Sequence, residues 1–276
     1  MKPVEDKDYV QSLERGLAVI LAFSDKHPRL SIGQLAELTG LSRPTVRRLV
    51  LTLVRLGYVR DEGRTFALTP HVLALGYAFT SSLNLTAVAQ PRMEEVTEVT
   101  GHTCSLAALD GEDAVFLLRV PPRRVMRHLL LTGTRLPAFA SAIGRVLVAG
   151  LPPHEVDSFL RHAPFPRLTA TTETDPERLR SILAEVREQG WALVDQEVEE
   201  GVRSFSAPIR DSVGGVVAAL GMSVPAGTDG VDEIHRDYLP AIIKAAGEIS
   251  NGLGASYHPN GRPESSKKNT EHRVNA

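Results

Sequence analysis

Residues 30–68 constrain the fold more than any other part of the chain, because they predict two short helices, a tight turn and a hairpin in succession. An amphipathic stretch at Ile32–Leu38 precedes Gly40, a residue type that often supplies the left-handed conformation at a helix end. A second amphipathic stretch runs from Ser42 to Leu56, and two short strand-like runs follow it. This order predicts a winged helix-turn-helix, a module that places its second helix in the major groove of DNA.

The second helix of this pair, which we call the recognition helix, has an apolar and a polar side. At about 100° per residue, the apolar side consists of Val46, Leu49, Val50, Leu53 and Leu56. Ser42 is placed to cap the first turn, and Pro44 lies where its missing N–H does no harm. The polar side is rich in arginine, which pairs with phosphate or guanine. We therefore expect DNA contacts from the helix start and the wing, at Ser42, Arg43, Pro44, Thr45, Arg47, Arg48, Arg60 and Arg64.

Net charge distinguishes the two parts of the chain. Residues 1–70 carry 11 Lys and Arg against 8 Asp and Glu, a net of +3, whereas the remainder carries 20 against 25, a net of −5. A basic head on an acidic body favours a DNA-binding module joined to a second domain. The alternative is a pair of surface helices whose arginines are only solvated.

Length and composition are those of a two-domain globular protein. The chain has 276 residues, of which 42% are hydrophobic and 23% charged. Its single cysteine, Cys104, excludes an intrachain disulfide and a multi-cysteine zinc site. The first ten residues lack the apolar segment of a secretory signal, and no apolar run approaches the roughly 20 residues that span a bilayer. We therefore expect a cytoplasmic protein with no metal and no cofactor.

The second part of the chain alternates strands with helices, which predicts an α+β domain with helices on one side of its sheet. We expect a winged helix-turn-helix domain at 9–70, a linker helix at 71–84, a second domain at 85–255 and a disordered tail at 256–276. The predicted strands are His102–Leu109, Ala114–Val120, Arg127–Thr132, Trp191–Val194, Arg203–Arg210 and Val216–Val224.

Several segments resemble, in order, the IclR family of bacterial transcription regulators. Tyr9–Ile20 (YVQSLERGLAVI) is similar to that family's first helix, and GLSRPTVRRLVLTLVRLGYV is similar to its recognition helix and wing. In the second part, Leu136–Pro152 (LPAFASAIGRVLVAGLP) and Gly190–Gly227 are similar to its effector-binding domain. The former, with RRVMRHLL before it, most resembles the β-ketoadipate-pathway subgroup (PcaR, PcaU and PobR-like).

The resemblance implies a GAF-like sensor fold, a homodimer or homotetramer (a dimer of dimers), and control of a catabolic operon. It implies a small carboxylate effector, either an aromatic acid or a ring-cleavage product. Many relatives have Cys where Ser204 stands, and a serine offers a stronger hydrogen bond. Carried over position by position, the family's effector pocket corresponds to Ala142, Ile143, Val202 and Ser204.

Three further residues are candidates for the same pocket. Ser141 opens a helix whose free amides favour an anion, and Ser206 alternates in phase with Ser204 along a strand. Arg127, on a predicted strand facing this region, is our candidate cation for the carboxylate, the alternative being a solvated strand arginine.

Other functions remain open on the sequence alone. An enzyme is disfavoured, because the chain has no G-x-S-x-G nucleophile elbow, no His-x-x-x-His pair and no phosphate loop. An effector-free DNA-binding protein would not need the large acidic second domain. An IclR-type regulator of another small-acid or sugar-acid pathway is the main alternative.

Overall fold

The computed structural model describes residues 9–24, 26–75, 85–122, 132–228 and 230–255. The chain divides into two compact units, Met1–Ser82 and Leu83–Ala276, each with its own hydrophobic core. The predicted strand at Arg127–Thr132, most of the linker and the tail lie almost entirely outside the described residues. Within the described part of the chain, no helix is long and apolar enough to cross a membrane.

The first unit is a three-helix module followed by a two-stranded antiparallel hairpin, as predicted. A 3₁₀ turn at Pro70–Val72 follows the hairpin. The elements of the module are α1 (Gln11–Leu21), α2 (Ile32–Thr39), α3 (Arg43–Arg55), β1 (Val59–Asp61) and β2 (Phe66–Leu68).

Local sequence signals fix the ends of these helices. The Ser31 side chain accepts a hydrogen bond from the Gln34 amide while the Gln34 side chain accepts one from the Ser31 amide, a reciprocal capping box. Gly40 ends α2 at a φ of 68°, in the left-handed region that glycine enters without strain. Ser42 caps α3, and Pro44 lies in its first turn. The helix-turn-helix geometry is therefore encoded locally.

Two predictions about the apolar face were wrong. Leu56 lies beyond the last turn of α3 and is 56% exposed, so the buried side of the helix ends at Leu53. For α1 we expected an apolar stripe of Leu13, Leu17, Ile20 and Leu21, but only Val19 is fully buried, and Leu13 and Leu17 are exposed. The core of the unit consists of Val19, Leu30, Leu35, Val46, Val50, Leu53, Val59 and Phe66.

In its described residues, the second unit is built on a six-stranded antiparallel sheet with the order β5-β4-β3-β8-β7-β6. A helical turn at Val231–Glu233 and a π-helical segment at Ile234–Tyr238 precede its last helix. Its strands are β3 (Cys104–Asp110), β4 (Asp113–Val120), β5 (Arg135–Pro137), β6 (Ala192–Asp195), β7 (Val202–Arg210) and β8 (Val216–Pro225). Its helices are α4 (Leu85–Thr100), α5 (Ala142–Ala149), α6 (Pro153–His162), α7 (Pro176–Gln189) and α8 (Leu239–Gly252).

Helices cover both faces of this sheet, which corrects the prediction that they lie on one side. Apolar residues of α4 and α8 form one core with Phe205 and Leu220, and residues of α5, α6 and α7 form a second core with Phe116 and Ala219. The physical reason is visible in β3, where Cys104–Ala108 are all buried without alternation. An uninterrupted buried run is the pattern of a strand with both faces covered.

A β-bulge interrupts the pairing of β3 with β4. Leu106 pairs with Leu118, but Ala107 pairs with Phe116, so Leu117 is an extra residue on β4. Leu117 and Leu118 both pack against the α4–α8 core. A bulge changes the face on which the later side chains of a strand project. Phe116 and Arg119, three residues apart, therefore both project on the sheet face away from the α4–α8 core.

Candidate functional site

The exposed side of α3 is a surface of arginines. Val46, Val50 and Leu53 are buried, while Arg47 and Arg48 project on the exposed side of the helix. Among the described residues, no acidic side chain pairs with Arg43, Arg47 or Arg48. Their guanidinium groups are therefore available to an external anion.

The predicted DNA-contacting serine and threonine are joined to each other at the start of α3. Ser42 Oγ accepts a hydrogen bond from the Thr45 amide at 3.4 Å and lies 2.9 Å from Thr45 Oγ1. Both side chains are thus held at the first turn, next to Arg43 and Pro44. The cap orders the end of the helix that is expected to enter the groove.

The wing carries a network that the sequence analysis missed. The Glu62 carboxylate accepts hydrogen bonds from Arg60 Nε at 2.9 Å and from Arg29 Nε at 2.8 Å. The hydrogen bond from Arg60 lowers the pKa of Glu62, and Arg29 contributes less. Arg29 comes next to the wing because Leu30 pairs with Phe66 of β2. Arg64, at the wing tip, is exposed.

A cavity of about 290 Å³ lies in the second unit, on the sheet face covered by α5. Its floor follows the strand register, in which Arg119 on β4 is opposite Ser105 on β3, and Ser105 is opposite Gly221 on β8. Ser223 and Ser204 form the cross-strand pair nearer to β6. The missing side chain of Gly221 leaves space here, since an added Cβ would lie within 3.4 Å of Ile143.

Arg119 is the cation of this cavity among the described residues. Its guanidinium carbon lies 4.7 Å from the centre of the Phe116 ring, in cation–π geometry. Its Nε and Nη1 atoms are buried and have no hydrogen-bond partner in the described part of the chain. Burial lowers the pKa of Arg119, which nevertheless remains charged at neutral pH. A buried donor group without a partner is costly, so this arrangement suits an anionic ligand.

The turn before α5 forms the wall opposite the floor. Ser141 caps the helix by accepting a hydrogen bond from the Gly144 amide at 3.2 Å, which leaves the amides of Ala142 and Ile143 outside the cap. Gly144 is required for close packing, because an added Cβ would lie 2.2 Å from the Ala138 Cα atom. This contact fixes the start of α5 beside the cavity.

A loop between β6 and β7 closes another side of the cavity, with Val198 and Glu199 in its lining. Arg145 of α5, whose side chain is 3% exposed, holds this loop through two hydrogen bonds of 2.7 Å to the Glu197 carboxylate. The Glu197 carboxylate also accepts a hydrogen bond of 2.8 Å from the backbone amide of Glu173. Glu197, whose side chain is 12% exposed, is therefore a structural residue of this loop.

Most of the predicted effector residues meet in this cavity. Ser206 does not line it, because its fully buried hydroxyl donates to the Leu220 carbonyl at 2.7 Å. Arg127 lies outside the described residues, and its role stays a prediction. The cavity is lined by the predicted Ser141, Ala142, Ile143, Val202 and Ser204.

Four polar lining residues were not among those predicted: Ser105, Arg119, Glu199 and Ser223. The signal for Arg119 is the adjacent pair Leu117-Leu118, which breaks the alternation of β4. No group of His, Cys, Asp and Glu suited to a metal ion occurs among the residues described.

The sequence matches two family descriptions that together cover most of the chain. Residues 12–63 match the IclR helix-turn-helix domain, and residues 77–251 match the bacterial transcriptional regulator IclR C-terminal domain. Among solved structures, a transcriptional regulator from Rhodococcus sp. RHA1 is 44% identical, with a TM-score of 0.79 over 89% of this chain and 98% of that one. An IclR homologue from Microbacterium hydrocarbonoxydans, complexed with 4-hydroxybenzoate, is 27% identical, with a TM-score of 0.78 over 88% of this chain and 98% of that one.

Curated relatives agree with these matches. The Pca regulon regulatory protein of Pseudomonas putida is 37% identical over 90% of this chain and 86% of its own length. The Pca operon regulatory protein of Acinetobacter baylyi is 33% identical over 91% of this chain and 92% of its own length. Both relatives are named as regulatory proteins. The chain belongs to the IclR family of bacterial transcriptional regulators.

Proposed function

We propose that this regulator binds an operator through the arginine side of α3 and the wing, and that a small carboxylate in the sheet cavity changes that binding. The pathway under its control is the catabolism of aromatic acids, in the cytoplasm. The observation that carries the effector half is the cavity itself, which combines apolar walls with a guanidinium whose Nε and Nη1 have no hydrogen-bond partner among the residues that the structure describes.

The DNA half is supported by position and charge. Arginines on an exposed helix face, a capped helix start and a neighbouring hairpin are the parts with which winged modules contact phosphates and base edges. The proposed contacts are Ser42, Arg43, Pro44, Thr45, Arg47, Arg48, Arg60 and Arg64.

The effector half is supported by the relatives as well as by the cavity. Two curated relatives are Pca regulators, and one related structure contains 4-hydroxybenzoate. A ring of this kind has an apolar body and one carboxylate, which the cavity can accommodate. The proposed effector-binding residues are Ser141, Ala142, Ile143, Val202 and Ser204, with Arg127 added from the sequence.

The exposed apolar side of α1 supports self-association as a dimer or a dimer of dimers. Leu13, Leu17 and Leu21 are 63%, 46% and 81% exposed, a large apolar surface for one short helix. We expect Leu13→Glu/Leu17→Glu to reduce the mass measured by sedimentation and to weaken operator binding. Lys26→Glu, a charge change off this face, is the control, and an unchanged mass in the double variant would contradict this interface.

The test of the proposed function is footprinting on DNA flanking the protein's own gene, with and without candidate acids. We expect protection of one operator and a change in protection when an aromatic acid is added. Thermal denaturation measures effector binding separately, because a ligand of the folded state raises the melting temperature. Protection without any response to any acid would favour an effector-free DNA-binding protein.

A further inference from the structure

We propose that Arg119 is the group that binds the effector's carboxylate, and that Glu199, across the same cavity, selects monocarboxylates over dicarboxylates. This inference rests on the proposed function, because it names the groups that recognise the effector in that site.

The surroundings of Arg119 favour an anionic ligand. Two of its guanidinium nitrogens, Nε and Nη1, are buried and lack a partner among the described residues, although the group lines a cavity. A carboxylate can accept two parallel hydrogen bonds along one edge of a guanidinium, from Nε and Nη2 or from Nη1 and Nη2, and it thereby satisfies one of these two donors and pairs with the charge. Stacking on Phe116 fixes the guanidinium before the ligand arrives, so little side-chain freedom is lost on binding.

The second step concerns the neighbour of Arg119. Ser105 is its direct partner across the antiparallel strands β3 and β4, and such partners project on the same face. Both residues line the cavity. The Ser105 hydroxyl is thus placed to donate a further hydrogen bond to the same carboxylate, which locates the acid end of the ligand at β3 and β4.

The third step concerns the opposite end. Glu199 enters the lining from the loop between β6 and β7, and β3 and β8 separate β4 from β7 in the sheet. Ser204 and Ser223 lie as a cross-strand pair toward this end. A second carboxylate there would face the like charge of Glu199, whereas a hydroxyl could donate to Glu199 or to a serine.

These positions define a ligand class. The walls between the two polar ends include Phe116, Leu136, Ile143 and Val194. The cavity therefore suits a monocarboxylate with an apolar body and a hydrogen-bond donor at the end remote from the acid. An open-chain or aromatic dicarboxylate is disfavoured.

The experiment compares three probes that share one ring, 4-hydroxybenzoate, benzoate and terephthalate, by calorimetry on the full chain. Terephthalate carries a carboxylate where 4-hydroxybenzoate carries its hydroxyl. We expect the wild-type protein to bind 4-hydroxybenzoate at least tenfold more tightly than terephthalate, with benzoate between them.

Three variants assign the effects to residues. Arg119→Gln should weaken the binding of all three acids at least tenfold. Glu199→Gln should reduce the preference for 4-hydroxybenzoate over terephthalate at least threefold. Arg135→Gln is the matched control, because Arg135 is exposed, pairs with Asp110 and Asp113, and does not line the cavity. We expect it to bind like the wild type.

The outcomes separate this inference from the proposed function. Acids that bind and alter operator protection equally in the wild type and Arg119→Gln would overturn the Arg119 assignment and leave the regulator intact. Terephthalate binding as tightly as 4-hydroxybenzoate would overturn the role of Glu199. If no acid binds the wild type or alters protection, the proposed function fails with the inference.

Discussion

Arg119 is a charged side chain that is partly buried on the floor of the cavity. Its contact with the Phe116 ring compensates part of the cost of burial, but two donors remain without partners in the described chain. Unsatisfied buried donors of this kind cost about 1–3 kcal/mol, and binding sites commonly accept such a cost.

This cost predicts the effect of removing the charge. In the absence of ligand, Arg119→Met should melt at or above the wild-type temperature, because a thioether can stay packed on Phe116 without needing hydrogen bonds. Thermal denaturation of both proteins measures this, with Arg135→Met as the control. A large fall in the melting temperature of Arg119→Met would mean that the arginine is structural.

Cys104, in contrast to the charged Arg119, is a buried thiol that its surroundings keep uncharged. Burial raises the pKa of Cys104 from an ordinary value near 9 to about 12. The folded state thus holds the thiol proton more strongly than the unfolded chain, so this stabilisation is full below pH 9 and declines as the pH rises toward 12.

We therefore expect the unfolding free energy to fall more steeply between pH 9 and 12 in the wild type than in Cys104→Ala. The limiting difference in slope is about 1.4 kcal/mol per pH unit. Urea denaturation at several pH values measures it. Parallel pH profiles for the two proteins would contradict the assignment.

At the scale of elements, α5 joins the cavity to the loop that closes it. Its first turn packs against Ala138 through Gly144, and the next residue, Arg145, is hydrogen-bonded to Glu197. The ion pair connects residues 52 apart in sequence, and both partners are mostly buried. A buried charge left without its partner is strongly destabilising.

Arg145→Met should lower the unfolding free energy by about 3 kcal/mol and weaken effector binding, because the loop that carries Glu199 loses its anchor. Arg145→Met/Glu197→Gln should recover part of the stability. Arg180→Met, which breaks an exposed pair with Asp157, is the matched control and should change stability little. If Arg145→Met and Arg180→Met lower the unfolding free energy equally, Arg145 is not a buried anchor of the loop.

At the scale of the whole molecule, the chain joins a helix-turn-helix unit, basic in sequence, to an IclR C-terminal domain that is acidic in sequence. The arginines of α3 lack acidic partners among the described residues, whereas Arg60 of the wing is paired with Glu62. We expect the α3 arginines to contribute more to operator affinity than Arg60 does. Arg60 must give up its ion pair with the Glu62 carboxylate before it can bind a phosphate.

Arg48→Ala should weaken operator binding and reduce by about one the slope of log affinity against log salt concentration, as expected for one lost phosphate contact. Fluorescence anisotropy at four or more salt concentrations measures this slope. Arg161→Ala, an exposed arginine of the second unit, serves as the control. An unchanged slope for Arg48→Ala would remove Arg48 from the phosphate interface.

The parts of this molecule that were predictable depend on neighbours in sequence. Ser31, Gly40 and Ser42 determine the helix-turn-helix through bonds that span a few residues, so the sequence alone identifies it. The covering of both sheet faces and the pairing of Arg145 with Glu197 depend on distant segments. Arg119 was not predicted to line the cavity because it is three residues from Phe116. In a regular strand, two side chains three residues apart project on opposite faces.

Side chains alternate between the two faces of a strand. One inserted residue therefore normally moves every later side chain to the opposite face. In β4 the insertion is absorbed where it occurs, since Leu117 and Leu118 turn to the same side. Arg119 consequently projects on the same face as it would in a regular strand that lacked Leu117. A receptor of this design can gain or lose that residue in evolution and still present the same positive charge to the molecule it senses.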